Sequence, residues 1–151
     1  MADLPALVDA NVVLWAHHRQ FSEHDKARAW WRETLSSSTQ VGIPWSTIVA
    51  FLRISTHPRA LRRPVPIDVA WKEVRRWLAR TNVWVPVPTD RHTAILDDLL
   101  QRSHPTGNHV PDADLAALAI EWGLELLSGD RDFARYPALR WRDPLTVSQA
   151  G

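Results

Sequence analysis

VPDADLAALAIEWGLELLSGDRDF, residues Val110 to Phe133, reads as a helix, a short buried strand and an acidic loop in direct succession. Pro111 stands where a helix start tolerates proline, because first-turn N–H groups have no intrahelical partner. Asp112 and Asp114 follow in the first turn, where carboxylates meet free N–H groups and the positive end of the helix dipole. Leu115, Leu118, Ala119 and Trp122 recur at i, i+3, i+4 and i+7, one helical face. Gly123 stops the helix. Leu124, Leu126 and Leu127 form an apolar strand, and Ser128-Gly129-Asp130-Arg131-Asp132 turns sharply away from it. Carboxylates therefore stand at a helix start and again just past the next strand. In a parallel sheet both places lie along the edge formed by the strand C-termini, where sites on open α/β sheets occur. Taken singly, Asp112 reads as a helix cap and Asp130 as a turn residue; the pair points to more.

The N-terminus adds a third carboxylate. Ala6-Leu7-Val8 is an unbroken apolar run, as expected of a first strand buried on both faces, and Asp9 ends it. Asp9 reads either as the N-cap of the helix carrying Val12 to Trp15 or as another acid at the same sheet edge. Asn11 is placed to hydrogen-bond Asp9 or nearby backbone and so hold the carboxylate's orientation.

Between these ends, strands and helices alternate. A helix opens at Ser22 or Glu23, with Ala27, Trp30, Trp31 and Leu35 apolar, and Val41 to Ile43 is a second strand. Pro44 starts a helix rich in apolar residues, on which Ser46, Ala50 and Arg53 share one stripe. Arg59 to Pro66 is a basic, exposed loop, and Asp68 to Arg80 a further helix. Val83 to Val87 is a third strand, and Pro88 to Arg102 a helix. Leu139-Arg140-Trp141 is a last edge strand before Asp143-Pro144 and a polar tail. The pattern predicts a single three-layer α/β/α domain over residues 1–151, with a mainly parallel sheet of four to five strands.

Composition narrows the function. The 151 residues suffice for one domain with a real core. There is no cysteine, so disulfides and thiolate metal sites are excluded, and the seven histidines show no H-x-x-x-H spacing. A net charge of +1 gives no global field for nucleic acid, so any such binding must be local. Arg53, Arg59, Arg62, Arg63, Arg75 and Arg76 are the candidates for a phosphate track. No G-x-G-x-x-G is present, which counts against a phosphatase or nucleotide-binding protein. No membrane-spanning run or signal peptide is visible, which sets the expectation of a cytoplasmic protein without membrane attachment.

Three blocks, LVDANVVLWA, IPWSTIVAFLRISTHPR and PDADLAALAIEWGLELLSGDRDFARYPALRW, resemble those of PIN-domain ribonucleases, and most of all VapC toxins of type II VapBC toxin–antitoxin systems. The resemblance runs through nearly the whole chain in order. It implies a Mg²⁺- or Mn²⁺-dependent endoribonuclease, usually dimeric and neutralised by a VapB-like antitoxin. It places the catalytic and metal-binding acids at Asp9, Asp112 and Asp130, with Asp132 as a further metal ligand and Asn11, Asp114 and Ser128 in support. The four arginines Arg53, Arg59, Arg62 and Arg63 would hold RNA. One departure stands out: Ala50 occupies the position where the family pattern has Glu. Alanine cannot ligate a cation, which raises the importance of Asp114 and Asp132 and leaves open an RNA- or protein-binding module with weakened catalysis.

The chemistry explains the acids. RNA cleavage by water needs a nucleophile near neutral pH and neutralised charge at phosphorus, both of which a divalent cation supplies. Close carboxylates without a cation repel one another and hold protons. Leu14, Trp15, Trp30 and Trp31 exceed what a small core readily absorbs and predict an interface on the first two helices, for a second copy or an antitoxin peptide.

Overall fold

Leu7 and Val8 are both inaccessible to solvent, and they point to opposite sides of the sheet. Val8 joins a core with Val12, Val13, Ile48, Phe51 and Trp77, while Leu7 joins another with Ala116, Leu118, Leu126 and Phe133. One strand thus organises two helical layers.

The computed structural model describes residues 4–146. Its elements are β1 (Ala6–Val8), α1 (Ala10–His17), α2 (His24–Ser36), β2 (Val41–Gly42), α3 (Trp45–Ser55), α4 (Ile67–Leu78), β3 (Val83–Trp84), α5 (His92–Ser103), α6 (His109–Trp122), β4 (Glu125–Leu127), a 3₁₀ helix (Arg131–Arg135) and β5 (Trp141–Arg142). The strands form one wholly parallel sheet in the order β3-β2-β1-β4-β5. Helices α1 to α4 supply the layer against Val8, and α5 and α6 the layer against Leu7. This is the expected α/β/α architecture with five strands. Most of the expected polar tail lies outside the described residues. Among those residues, no helix is long and apolar enough to cross a membrane.

Several boundaries differ from the sequence reading. Helix α6 begins two residues before Pro111, which leaves Asp112 as the only acid of its first turn and puts Asp114 in the second. Helix α5 begins at His92 rather than Pro88, because Thr89 is held elsewhere. Its N–H and hydroxyl both donate to Glu121 Oε2, at 2.8 and 2.5 Å. Strand β5 pairs through Trp141 and Arg142, further along than Leu139.

The interface expected on the first two helices is not exposed. Leu14 and Trp31 are core residues, and Trp15 and Trp30 pack against that core. Trp31 meets Trp77 edge to face, with ring centroids 5.6 Å apart, and Trp77 meets Phe51 at 4.7 Å. A three-residue strand supplies little apolar area, so the tryptophans fill the layer between α1, α2 and α4. Five of the exposed large apolar side chains lie instead on α3, at Trp45 (49%) and Val49 (57%), and on α4, at Ile67 (58%), Val69 and Trp71; others are Leu4, Val87 and, on α6, Val110 and Trp122.

Glu121, whose side chain is wholly buried on α6, ties α5 to α6. Its Oε1 pairs with His92 Nδ1, and His92 Nε2 lies 2.7 Å from Asp114 Oδ1. Burial works against charge on His92, but hydrogen bonds and attraction from Asp114 and Glu121 outweigh it and raise the imidazole above its ordinary value. A raised folded-state value stabilises fully below the unfolded value of about 6.5 and is lost as pH rises through the native one. Urea denaturation across the neutral range should show this loss in the wild type, and His92→Gln should flatten it.

Candidate active site

Val8 pairs with Leu127 in register, and the Asp9 N–H donates to the Leu127 carbonyl at 3.0 Å. Asp9 and Ser128 therefore leave the sheet side by side. Between β1 and β4 the chain reverses its direction of strand addition, so the crevice opens at a topological switch point.

Ser128 is completely buried there. Its hydroxyl donates to Asp9 Oδ2 at 2.7 Å and accepts from the Asp130 N–H at 3.1 Å and from Asn11 Nδ2 at 3.2 Å. One donor and two lone pairs are thus all used. Asp9 Oδ1 accepts from the Ala10 N–H at 2.8 Å, so Asp9 caps α1 and belongs to the cluster at once. Asn11 acts at one remove: its Oδ1 accepts from the Gly129 N–H at 3.2 Å, and it reaches Asp9 only through Ser128. Asp130 Oδ1 accepts from the Asp132 N–H at 2.9 Å and caps the 3₁₀ helix, so its turn reading and its place in the cluster also coexist.

Asp112 approaches from the first turn of α6. His109, one turn earlier, has Nδ1 3.7 Å from both Asp112 Oδ2 and Asp132 Oδ2. Burial pushes the Asp112 carboxyl above the ordinary carboxylate range, and the Asp130 and Asp9 charges push it further, against a downward pull from His109. Burial likewise raises Asp9, opposed by the hydrogen bonds from Ser128 and Ala10 and aided by Asp130. The three acids predicted from sequence therefore act on one another.

Two neighbours escaped the sequence reading. His109 had a signal, its i−3 spacing from Asp112. Tyr136 had none: its buried hydroxyl has no hydrogen-bond partner, and the Asp112 charge, after burial, raises it further, against a lowering by Arg135. Asp114 is not brought into the cluster, because His92 holds it. Arg53, Arg59, Arg62 and Arg63 are exposed and, among the described residues, free of ion pairs. On α3, Thr47 donates to the Val8 carbonyl at 2.7 Å, which sets the first turn of that helix against the end of β1. Ala50 follows Thr47 at i+3 and is half-buried, whereas Ser46 and Arg53 of its stripe are exposed.

The donor set suits a hard divalent cation, since the acids offer only oxygen. Mutual repulsion at Asp9 and Asp112 marks a crevice short of positive charge. Among the described residues, no group of three or more His, Asp or Glu side chains is arranged to hold a metal ion.

The PIN domain family model matches residues 6–139. Ribonuclease VapC33 of Mycobacterium tuberculosis is 38% identical over 137 residues, which cover 91% of this chain and 96% of that protein. Ribonuclease VapC37 of the same organism is 37% identical over 138 residues, covering 91% and 96%. Among solved structures, the VapBC2 complex of Rickettsia felis bound to a fragment of promoter DNA contains a chain that superposes with a TM-score of 0.62 at 14% identity, covering 92% of this chain and 98% of that one. That likeness concerns the fold.

Two substitutions test the cluster. Removing a carboxylate whose native value is raised should stabilise, because such a group loses stability as pH rises from the ordinary carboxyl range through its native value. Asp112→Asn should therefore raise the thermal midpoint at neutral pH and flatten the acid-side slope. Gly129 packs so close to Trp15 that an added Cβ would lie 2.2 Å from Cη2 of the indole. Gly129→Ala should lower the unfolding free energy by about 1–3 kcal/mol in urea titration, as overpacking does.

Proposed function

Since the chain belongs to the PIN-domain family, among its VapC ribonucleases, we propose that it is a metal-dependent endoribonuclease and the toxin of a VapBC-type pair. The observation that carries this reading is the convergence of Asp9, Asp130 and Asp112 at the switch point, with the first two bound to one buried hydroxyl. Mg²⁺ or Mn²⁺, held by Asp9, Asp112 and Asp130 with Asp132 close by, would neutralise charge at the scissile phosphate and acidify water. The protein's own groups fix the geometry. Ser128 and the Ala10 N–H orient Asp9, Asn11 pins the Gly129 backbone, and His109 lies between Asp112 and Asp132. Burial and the neighbouring Asp130 and Asp9 charges raise the Asp112 carboxyl, so a bound cation would offset that repulsion. Arg53, Arg59, Arg62 and Arg63 would draw the RNA backbone toward this edge.

The proposed partner is a VapB-like antitoxin, and the proposed assembly a homodimer. The exposed Trp45 and Val49 of α3 and Ile67 and Val69 of α4 replace the first two helices as the apolar surface to be covered. The binding-module reading draws support from Ala50 and from the open arrangement of the acids.

Cleavage of total RNA decides between the readings. With Mg²⁺ or Mn²⁺ the wild type should cut, and EDTA should stop it. Asp9→Asn and Asp112→Asn should each lower the rate by more than about 100-fold, beyond the range for residues that only support ligands. Ser128→Ala should cost about 10- to 100-fold. RNA binding without cleavage at any metal concentration would favour the binding module. Calorimetry should show tighter Mg²⁺ binding by Ala50→Glu, and equal affinities would mean that position 50 faces elsewhere.

A further inference from the structure

A cavity of about 420 Å³ lies between the end of α1, the outer side of α2 and the second half of α4, away from the acidic crevice. Arg19, Arg28, Arg32, Arg76 and Arg80 line it, and Glu73 is the only carboxylate among its lining residues. With histidines counted neutral, the cavity carries a net +4, although the whole chain carries only +1. The rest of the molecule is therefore net acidic, and the positive charge has been gathered here.

The arrangement is not explained by internal pairing. Glu73 meets Arg76 at 3.3 Å and His17 at 3.5 Å, while Arg19, Arg28, Arg32 and Arg80 have no ion pair among the described residues. Arg28 and Arg32 sit at i and i+4 on α2, and Arg76 and Arg80 at the same spacing on α4 and just beyond. Like charges at that spacing destabilise a helix, so the Arg28 and Arg32 pair on α2, facing Arg76 and Arg80 across one cavity, favours an anion between them. The His17 imidazole is held down by burial and adds no charge at neutral pH. Trp31 and Trp77, packed edge to face, supply a rigid apolar wall. The cavity thus offers many donors, one acceptor carboxylate and a volume in the range of small-ligand sites.

We propose that this cavity binds a small oligophosphate anion, free or carried on a nucleoside, through the guanidinium groups of α2 and α4. Guanidinium forks match phosphate oxygens in pairs, which sets this chemistry above that of a simple halide. The site is independent of the acidic crevice and needs no divalent cation.

Calorimetry on the full chain, in EDTA and low salt, with sodium triphosphate as the probe tests it. One equivalent should bind, more weakly as salt rises. Arg28→Ala and Arg80→Ala, both at exposed positions, should each weaken binding about tenfold. Glu73→Gln should tighten it about fivefold by removing the one repelling charge. Arg102→Ala, on the opposite layer, should leave it unchanged. A single-stranded DNA hexamer forms the second arm. Triphosphate binding that is tighter than hexamer binding and is lost in the Arg28→Ala/Arg80→Ala double variant supports the site, and a hexamer that binds tighter than triphosphate counts against it. Binding of the hexamer alone would make the cavity a nucleic-acid track and overturn the proposal. No triphosphate binding at millimolar concentration, or binding indifferent to both arginines, overturns it too. Because EDTA is present, these outcomes do not depend on the nuclease reading.

Discussion

The hydroxyl of Ser128 is the point through which the two central strands hand their loops to one another. It lies just beyond the last residue of β4, on a residue whose backbone N–H still donates to Arg142 of β5, and uses its one proton and both lone pairs on Asp9, Asp130 and Asn11. A buried hydroxyl left unpaired costs about 1–3 kcal/mol, so each partner is fixed by the others' need for it. The loops after β1 and β4 thereby become one structure although they are more than a hundred residues apart in sequence. The Asp9 carboxylate is thus held near Asp130, whose charge raises it, and the register of Val8 with Leu127 sets the two loops side by side.

The charges are separated by function. Acids stand where the parallel strands end and where α1 and α6 begin, so helix dipoles and cap N–H groups offset part of their repulsion. The arginine cavity lies at the other end of α1, an eight-residue helix about 12 Å long. With a nearly neutral total, neither region is announced by the net charge. Each creates a local field whose sign the other does not cancel, since the separation exceeds the screening length of about 8 Å at physiological salt.

Helix α6 serves both the crevice and the clamp against α5. Its Ala113, Ala116, Ala117 and Ala119 are buried, so the helix comes close to the sheet, and its first turn delivers Asp112 to the crevice. Two residues on, and so on the opposite face, Asp114 belongs to a different structure, the His92 and Glu121 clamp against α5. Two acids in neighbouring turns therefore do different work: one keeps its charge exposed to its fellows, and the other is matched by an imidazole.

The sequence alone determined the architecture and set three acids at the ends of its elements. Apolar runs of three to five residues alternating with helical periodicity leave a parallel sheet between helices as the way to bury them, and Gly123 and the acids mark the boundaries directly. Asp9, Asp112 and Asp130 were legible because each follows or opens an element whose end is written in the local pattern. Tertiary structure decided everything that depends on neighbours distant in the chain. The strand order put β1 beside β4 and so joined Asp9 to Ser128. The depth of the α1–α2–α4 layer buried Leu14 and Trp31, which composition alone had pointed outward. His92 took Asp114 from the site, and Tyr136 entered it without any local signal. The arginine cavity is assembled from three helices, none of which carries a basic run of its own long enough to reveal it. Periodicity records which face of an element is apolar; which element that face meets is settled only when the chain closes on itself.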